Sequence, residues 1–156
     1  MSESEERQRV VAEVESWIGT PYHSNADVKG TNGGVDCGMI LIRVFENAGL
    51  IKNPIDPRPY PQQWPLHQST ERYLEIIKTY AKELPDGEIG KAGDVVVFRL
   101  KNMKVFHHGG IVAPEWPFII HATPPLAVMR IRVTQDPHLM RLTPKFFSVW
   151  PRIGVN

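Results

Sequence analysis

The residue whose type and position most suggest chemistry is Cys37, the only cysteine in the chain. It follows a glycine-rich loop and stands where the sequence predicts the start of a helix. Unpaired N–H groups at a helix N-terminus stabilise negative charge, so they favour a thiolate of lowered pKa and can hold an adjacent oxyanion. The carboxylate of Asp36 opposes this effect, and we therefore expect the thiolate to need a cationic partner. The alternative for a lone cysteine is the role of a small buried hydrophobic side chain.

Histidines are the natural partners of such a thiol, and the sequence contains six of them. His108 and His121 lie on adjacent predicted strands that are joined by a turn at residues 114–117. If this turn makes Ala113 pair with Phe118, the register of the two antiparallel strands is fixed. The register then decides which histidines share a face of the sheet.

The assumed register separates two adjacent histidines. It places Gly110 opposite His121, and since side chains alternate along a strand, Gly110 and His108 share a face. His108 and His121 are then diagonal neighbours, and the missing side chain at Gly110 leaves room for both imidazoles. His107 points to the other face, unless a β-bulge inverts the order. The pattern predicts a Cys–His pair with His121 as a third, orienting group; the alternative is polar histidines on a half-exposed strand.

The helices that must position these residues are predicted before the strands. Apolar residues at helical spacing indicate helices over residues 4–18, 37–48, and 69 or 70 to 84, of which the second is apolar nearly all round and should be buried. Asp36 fits the N-cap of that second helix. Residues 50–65 contain five prolines, so we expect an irregular crossover there.

The second half of the chain carries the strand signals. Short β-branched and aromatic runs are separated by turn residues: VVVFRL, KVFHHGGIVA, FIIHA, LAVMRIRV and FFSVW. Helices followed by strands predict the α+β class, with N-terminal helices and the buried helix packed on an antiparallel sheet. The length of the chain fits one domain over residues 1–156.

Composition argues against several functional classes. The formal net charge of +1 comes without basic clusters, so we expect neither nucleic acid nor a membrane as a partner. No apolar run approaches the roughly 18 residues of a membrane span. The N-terminus MSESEERQRV lacks the basic and apolar regions of a secretory signal, so we expect synthesis in the cytoplasm without a signal peptide.

Two further patterns carry little chemistry. Cys37, His108 and His121 include the right atom types for zinc, but paired spacings such as C-x-x-C are absent, and we expect neither metal nor cofactor. The glycine-rich residues 30–35 lack the lysine of a phosphate loop. Their glycines are expected to let the backbone approach a substrate.

In their order along the chain, several blocks resemble the NlpC/P60 family of papain-like cell-wall cysteine peptidases. The blocks are WIGTPY at 17–22, GGVDCGMILIRVFENAGL at 33–50, GDVVVFRL at 93–100, HHGGIV at 107–112 and IIHA at 119–122. The resemblance implies a papain-like fold with the nucleophile helix packed on the sheet. It also implies three catalytic residues: Cys37 as nucleophile, His108 as base and His121 as third polar residue. The substrate- and oxyanion-binding residues are then Tyr22, Asp36 and Gly38.

The resemblance implies hydrolysis of amide bonds in peptidoglycan stem peptides, after a γ-D-glutamyl residue and before the diamino acid. Residues 50–88 further resemble the phage-associated branch, whose members belong to tails or gene-transfer particles. We therefore expect phage tail or tail-like particle proteins as partners and localisation to such a particle, which would deliver the enzyme to the cell wall. The alternatives are another thiol amidase, thioesterase or acyltransferase on the same fold, and a tail-assembly module without catalysis.

The chain departs from the family at the residues after the nucleophile. The family has D-C-S-G or D-C-x-G, whereas this chain has Gly38 and Met39 after Cys37. Substrate contacts made by the family's serine are lost, and Met39 is expected to tighten the packing of the helix. The departure bears on the choice of substrate more than on the chemistry.

Overall fold

The computed structural model describes residues 1–59, 70–99 and 106–150, and it confirms the α+β class. In these residues three helices precede most of the strands: α1 Glu3–Glu15, α2 Met39–Asn47 and α3 Thr70–Tyr80. The strands are β1 Asp27–Val28, β2 Gly34–Val35, β3 Lys82–Glu83, β4 Val95–Arg99, β5 Phe106–Val112, β6 Phe118–Ala122, β7 Val128–Arg132 and β8 Thr143–Ser148. Two short 3-10 turns, Val133–Gln135 and Leu139–Arg141, separate β7 from β8. No helix in the described ranges is long and apolar enough to cross a bilayer.

The predicted third helix is too long at its end. It was expected to reach Leu84, but α3 ends at Tyr80 because Lys82 and Glu83 pair with β8. The backbone N–H of Leu84 donates to the carbonyl of Phe146 at 2.9 Å, which continues this pairing. As expected, residues 50–59 form no regular structure; the rest of the proline-rich segment, from residue 60, lies outside the described ranges.

The main sheet has the antiparallel order β3-β8-β4-β5-β6-β7 among the described strands, and it carries an apolar cluster on each face. Alternation along β4 separates the clusters, since Val95 and Val97 belong to one and Val96 and Phe98 to the other. Every buried residue of α2 belongs to the cluster of Val95 and Val97. The predicted packing of this buried helix on one face of the sheet is therefore confirmed.

The loop that leads to Cys37 is hydrogen-bonded to the free edge of β7. The N–H of Val128 donates to the carbonyl of Thr20 at 2.8 Å, and the N–H of Val35 donates to the carbonyl of Pro21 at 3.0 Å. These bonds extend the sheet by two irregular rows beyond β7. Cys37 follows Val35 by two residues and so lies at the end of the sheet where β5 begins and β6 ends.

Candidate catalytic site

The register of β5 and β6 is the one that the sequence predicts. The N–H of Ala113 donates to the carbonyl of Phe118 at 3.1 Å, and Ile111 pairs with Ile120. Both pairs follow from a turn at residues 114–117. The predicted pairing across this turn is therefore confirmed.

The structure brings His108 and His121 together as a hydrogen-bonded pair, which we call the histidine pair. Nε2 of His108 lies 2.6 Å from Nδ1 of His121, and the rings meet at an interplanar angle of 75°. A Cβ placed on Gly110 would stand 2.9 Å from the carbonyl oxygen of Ile120 and 3.1 Å from Cβ of His121. Gly110 therefore leaves room for the backbone of β6 and for Cβ of His121, whereas its predicted role as space for both imidazoles stays a prediction.

A β-bulge occurs in β5, but it does not change the choice of histidine. The register shifts between Phe98 and Arg99, which pair with His108 and Phe106, so His107 is the extra residue. The bulge lies on the far side of His108 from Gly110 and leaves their alternation intact. The direction of the His107 side chain is outside the described part of the structure.

His121 is the buried member of the histidine pair, with 3% of its surface exposed. Burial lowers the pKa of its imidazole to about 4, and the charge of Asp136 only partly offsets this effect. A neutral imidazole has one protonated and one unprotonated ring nitrogen. His121 can therefore accept a hydrogen bond at Nδ1 while it keeps its own proton on Nε2.

The Cys37 thiol lies just before α2 and only 6% of the residue is exposed. The sequence-based prediction of a lowered thiol pKa is wrong: burial, and then the charge of Asp36, raise the pKa of Cys37 to about 12. The N–H groups of Cys37 and Gly38 act in the expected, lowering direction. They are outweighed because a thiolate removed from water loses its hydration.

The predicted N-cap is wrong by position: α2 begins at Met39, not at Cys37, and its N-cap is Gly38. The Asp36 carboxylate still receives hydrogen bonds from the backbone at the start of the helix. Its Oδ1 accepts from the N–H groups of Gly38 at 3.0 Å and Met39 at 2.8 Å, and its Oδ2 accepts from the N–H of Asn25 at 2.7 Å. The carboxylate thus fixes the first turn after Cys37 and the loop before it. Substrate or oxyanion binding by Asp36 and Gly38 stays a prediction.

Tyr22 lies in the same electrostatic neighbourhood as Cys37 and Asp36; we call these three residues the thiol corner. Burial raises the pKa of the Tyr22 hydroxyl, and negative charge on Cys37 and Asp36 raises it further. The hydroxyl therefore stays protonated at any physiological pH and can act as a hydrogen-bond donor. The predicted closeness of Tyr22 to the thiol is consistent with this coupling.

The thiol corner and the histidine pair approach the same end of the sheet from different faces. His108 pairs with Phe98, and a Cβ on Gly110 would contact Ile119, so both imidazoles share the face opposite α2. At this end of the sheet the two imidazoles are hydrogen-bonded to each other.

The glycines of the loop at residues 30–35 allow neighbouring segments of the loop to pack closely. A Cβ on Gly33 would overlap the carbonyl of Val28, and a Cβ on Gly34 would overlap the imidazole of His23. The two glycines thus permit the close β1–β2 hairpin and its contact with the loop after Tyr22. The expected approach of this loop to a substrate stays a prediction.

Sequence analysis missed Asn25, which joins the loop to Asp36 through its backbone N–H. Its φ of 62° is in the left-handed region, which Asn tolerates better than most residues. The dipeptide Asn25-Ala26 in a polar loop was a usable turn signal. The contact with a carboxylate eleven residues away carried no signal of its own.

The zinc alternative gains no support from the geometry. Nε2 of His108 and Nδ1 of His121 are directed at each other, so neither can bind a metal while that hydrogen bond exists. Across the described ranges, no three His, Cys, Asp or Glu side chains form a group that could hold a metal ion.

Comparison with known protein families and with curated proteins yields no match to this chain. The assignment of its chemistry therefore rests on its own residues and their geometry.

Proposed function

We propose that this chain is a papain-like cysteine peptidase, similar to the NlpC/P60 enzymes, that hydrolyses amide bonds in peptidoglycan stem peptides. The observation that carries the proposal is the 2.6 Å contact between Nε2 of His108 and Nδ1 of His121. This contact lies at the end of the sheet to which the thiol corner is hydrogen-bonded. A thiol, a histidine and a group that orients the histidine are the parts that nucleophilic acyl transfer requires.

The hydrogen bond between the histidines supports His108 as the base. A neutral His121 that keeps its proton on Nε2 accepts at Nδ1, so Nε2 of His108 is the donor. The neutral ring of His108 then has its lone pair on Nδ1, the nitrogen outside this bond. Nδ1 is the atom that would take the thiol proton, and His121 would stabilise the imidazolium by holding its other proton.

The raised thiol pKa determines the order of events. At neutral pH Cys37 is a thiol, so attack on the substrate carbonyl must be accompanied by transfer of its proton to Nδ1 of His108. The proton then passes to the leaving amine, and a thioester remains on Cys37. Water hydrolyses the thioester, with His108 again as base, and regenerates the thiol.

Tyr22 and the start of α2 supply candidate donors for the oxyanion. The Tyr22 hydroxyl is protonated, and the N–H of Cys37 acts to lower the pKa of the thiol, whereas the N–H of Gly38 is already donated to Asp36 at 3.0 Å. Donors held in place before the reaction stabilise developing negative charge without reorganisation. This arrangement supports Tyr22 in a transition-state role.

The finer assignments rest on resemblance. They are the γ-D-glutamyl–diamino acid bond, association with phage tail or tail-like particle proteins, and location in such a particle. Met39 is completely buried among the residues of α2 that face the sheet, which supports a packing role for it. The departure at Gly38 and Met39 therefore affects the substrate surface mainly through the serine hydroxyl that Gly38 lacks.

One observation favours a second candidate, a structural module without catalysis. The thiol is buried and its pKa is raised to about 12, which disfavours the thiolate at neutral pH. Such a thiol should react slowly with iodoacetamide at neutral pH, with or without peptidoglycan fragments. In a peptidase, substrate fragments should change the labelling rate because they occupy the site.

The deciding experiment is digestion of purified peptidoglycan followed by mass analysis of the released peptides. Wild-type protein should generate fragments with a new amino terminus at the diamino acid, and Cys37→Ala should generate none. Release of a different acyl group would favour another amidase or acyltransferase on this fold. No release by a folded wild-type protein would contradict the proposed function.

A further inference from the structure

A network of charged side chains joins the proline-rich segment to the loop and the helix that flank the thiol corner. Arg43 on α2 contacts Asp27 at 2.8 Å and Glu46 at 3.0 Å. Arg58, in the proline-rich segment, contacts the same Asp27 at 3.0 Å and its neighbour Asp56 at 2.7 Å. Two arginines thus share one carboxylate, and networks of this kind are worth more than isolated surface pairs.

Arg58 is the member that reaches furthest across the network. Its Nη1 also donates to the carbonyl of Asn25 at 3.4 Å, and its Nε and Nη2 form a two-pronged contact with Asp56. The hydrogen bond from Arg58 lowers the pKa of Asp56 to about 2, so both partners are charged at neutral pH. The segment is also held to α3, because the N–H of Ile55 donates to the hydroxyl of Tyr80 at 2.8 Å.

The loop that Arg58 contacts is the loop that leads to Cys37. The N–H of Asn25 donates to Oδ2 of Asp36 at 2.7 Å, and Asp27 pairs with Val35 in the β1–β2 hairpin. Cys37 directly follows Asp36. Arg58 contacts this loop at the carbonyl of Asn25 and the carboxylate of Asp27. The same loop is joined to Asp36 through the N–H of Asn25 and to Val35 through Asp27, and these two residues lead into Cys37.

We propose that Arg58 is a positioning residue that clamps residues 55–58 onto residues 25–27 and so keeps the Cys37 thiol enclosed and aligned. Release of the clamp lets the loop open and exposes the thiol. The effect on hydrolysis rests on the proposed function, whereas the effect on thiol exposure does not.

The test is the rate at which iodoacetamide labels Cys37 in Arg58→Gln. Loss of a clamp worth one or two kcal/mol raises the open population, so labelling should be about 5–30-fold faster than in wild type. Hydrolysis should become slower, because a misplaced nucleophile reacts less often. Arg58→Lys keeps the charge but not the fork and should lie between wild type and Arg58→Gln. Lys145→Gln, which removes ion pairs with Glu83 and Asp86 on β3 and the turn after it, is the matched control and should label like wild type.

Low urea separates local opening from general loss of stability. Labelling through an open loop should hardly change in urea below the unfolding transition, whereas labelling through global unfolding should rise steeply. Salt provides a second measurement on the unaltered chain. Sodium chloride should accelerate labelling of wild type and have little effect on Arg58→Gln, because the network is screened only where it exists.

The outcomes distinguish this inference from the proposed function. Wild-type labelling in Arg58→Gln, or labelling without salt dependence in wild type, would overturn the clamp even if peptidoglycan is hydrolysed. Faster labelling in Arg58→Gln, in a chain that hydrolyses no peptidoglycan, would uphold the clamp and reject the peptidase.

Discussion

The histidine pair and the thiol corner lie at the same end of the sheet, but different forces hold them in place. The histidine pair is positioned by strand register, and Gly110 permits the close approach of Cβ of His121 and the backbone of Ile120. The thiol corner is held in place by burial and by the hydrogen bonds that Asp36 accepts from three backbone N–H groups. The comparison teaches that the two imidazoles are held ready by the sheet while the thiol is enclosed, so access to the thiol should control its reactivity.

The largest expected effect comes from removing the enclosed thiol. Cys37→Ala should reduce hydrolysis by about 10⁴-fold or more, because no other thiol is present in the chain. The fold should persist, since alanine fits the space of the buried side chain. Peptide release measured by mass analysis, with thermal unfolding as the control for folding, decides the matter. Turnover equal to wild type in the alanine variant would remove Cys37 from the mechanism.

A large but smaller effect is expected at the histidine pair. His108→Ala should slow hydrolysis by about 10²–10⁴-fold, the range for loss of a general base. His107→Ala, in the bulge, should change it little and is the matched control. Since burial and the charge of Asp36 raise the pKa of the thiol, His108→Ala should leave the pH profile of iodoacetamide labelling unchanged. An inactive His107→Ala together with an active His108→Ala would show that the base is His107 and not His108.

The histidine pair and the thiol corner also differ in how far the sequence could predict them. The contact of His108 with His121 followed from strand alternation and from the turn between Ala113 and Phe118, both of which are local patterns. The raised pKa of Cys37 could not be predicted from the sequence, because it depends on burial of the thiol by residues that are far apart in sequence. The end of α3 failed for the same reason, since Lys82 pairs with Ser148 across the chain.

Tyr22→Phe should have an intermediate effect on the thiol corner. Removal of a hydroxyl that donates in the transition state should lower kcat by about 10–10³-fold and leave KM nearly unchanged. Steady-state kinetics on a soluble stem peptide separates the two constants. A change confined to KM would assign the Tyr22 hydroxyl to substrate binding instead.

The smallest expected effect concerns stability and tests the state of His121 on which the base assignment depends. Burial lowers the pKa of His121 in the folded chain from 6.5 to about 4. Between these two pH values His121 is therefore protonated in the unfolded chain and neutral in the folded chain. The free energy of unfolding should therefore fall as the pH drops from about 6.5 to about 4, by up to about 3 kcal/mol from this group, and then level off.

His121→Asn removes the titrating group but keeps a side chain that can accept the hydrogen bond of His108. Urea unfolding of both proteins across this pH range should give a stability difference that shrinks as the pH falls, because only wild type carries the proton-linked loss. His138→Asn, at an exposed histidine near Asp136, is the matched control and should follow wild type. A difference that does not vary with pH would mean that His121 takes up its proton as readily in the folded chain as in the unfolded chain. A protonated His121 would donate to His108, and Nε2 of His108 would no longer be the donor that makes Nδ1 the base.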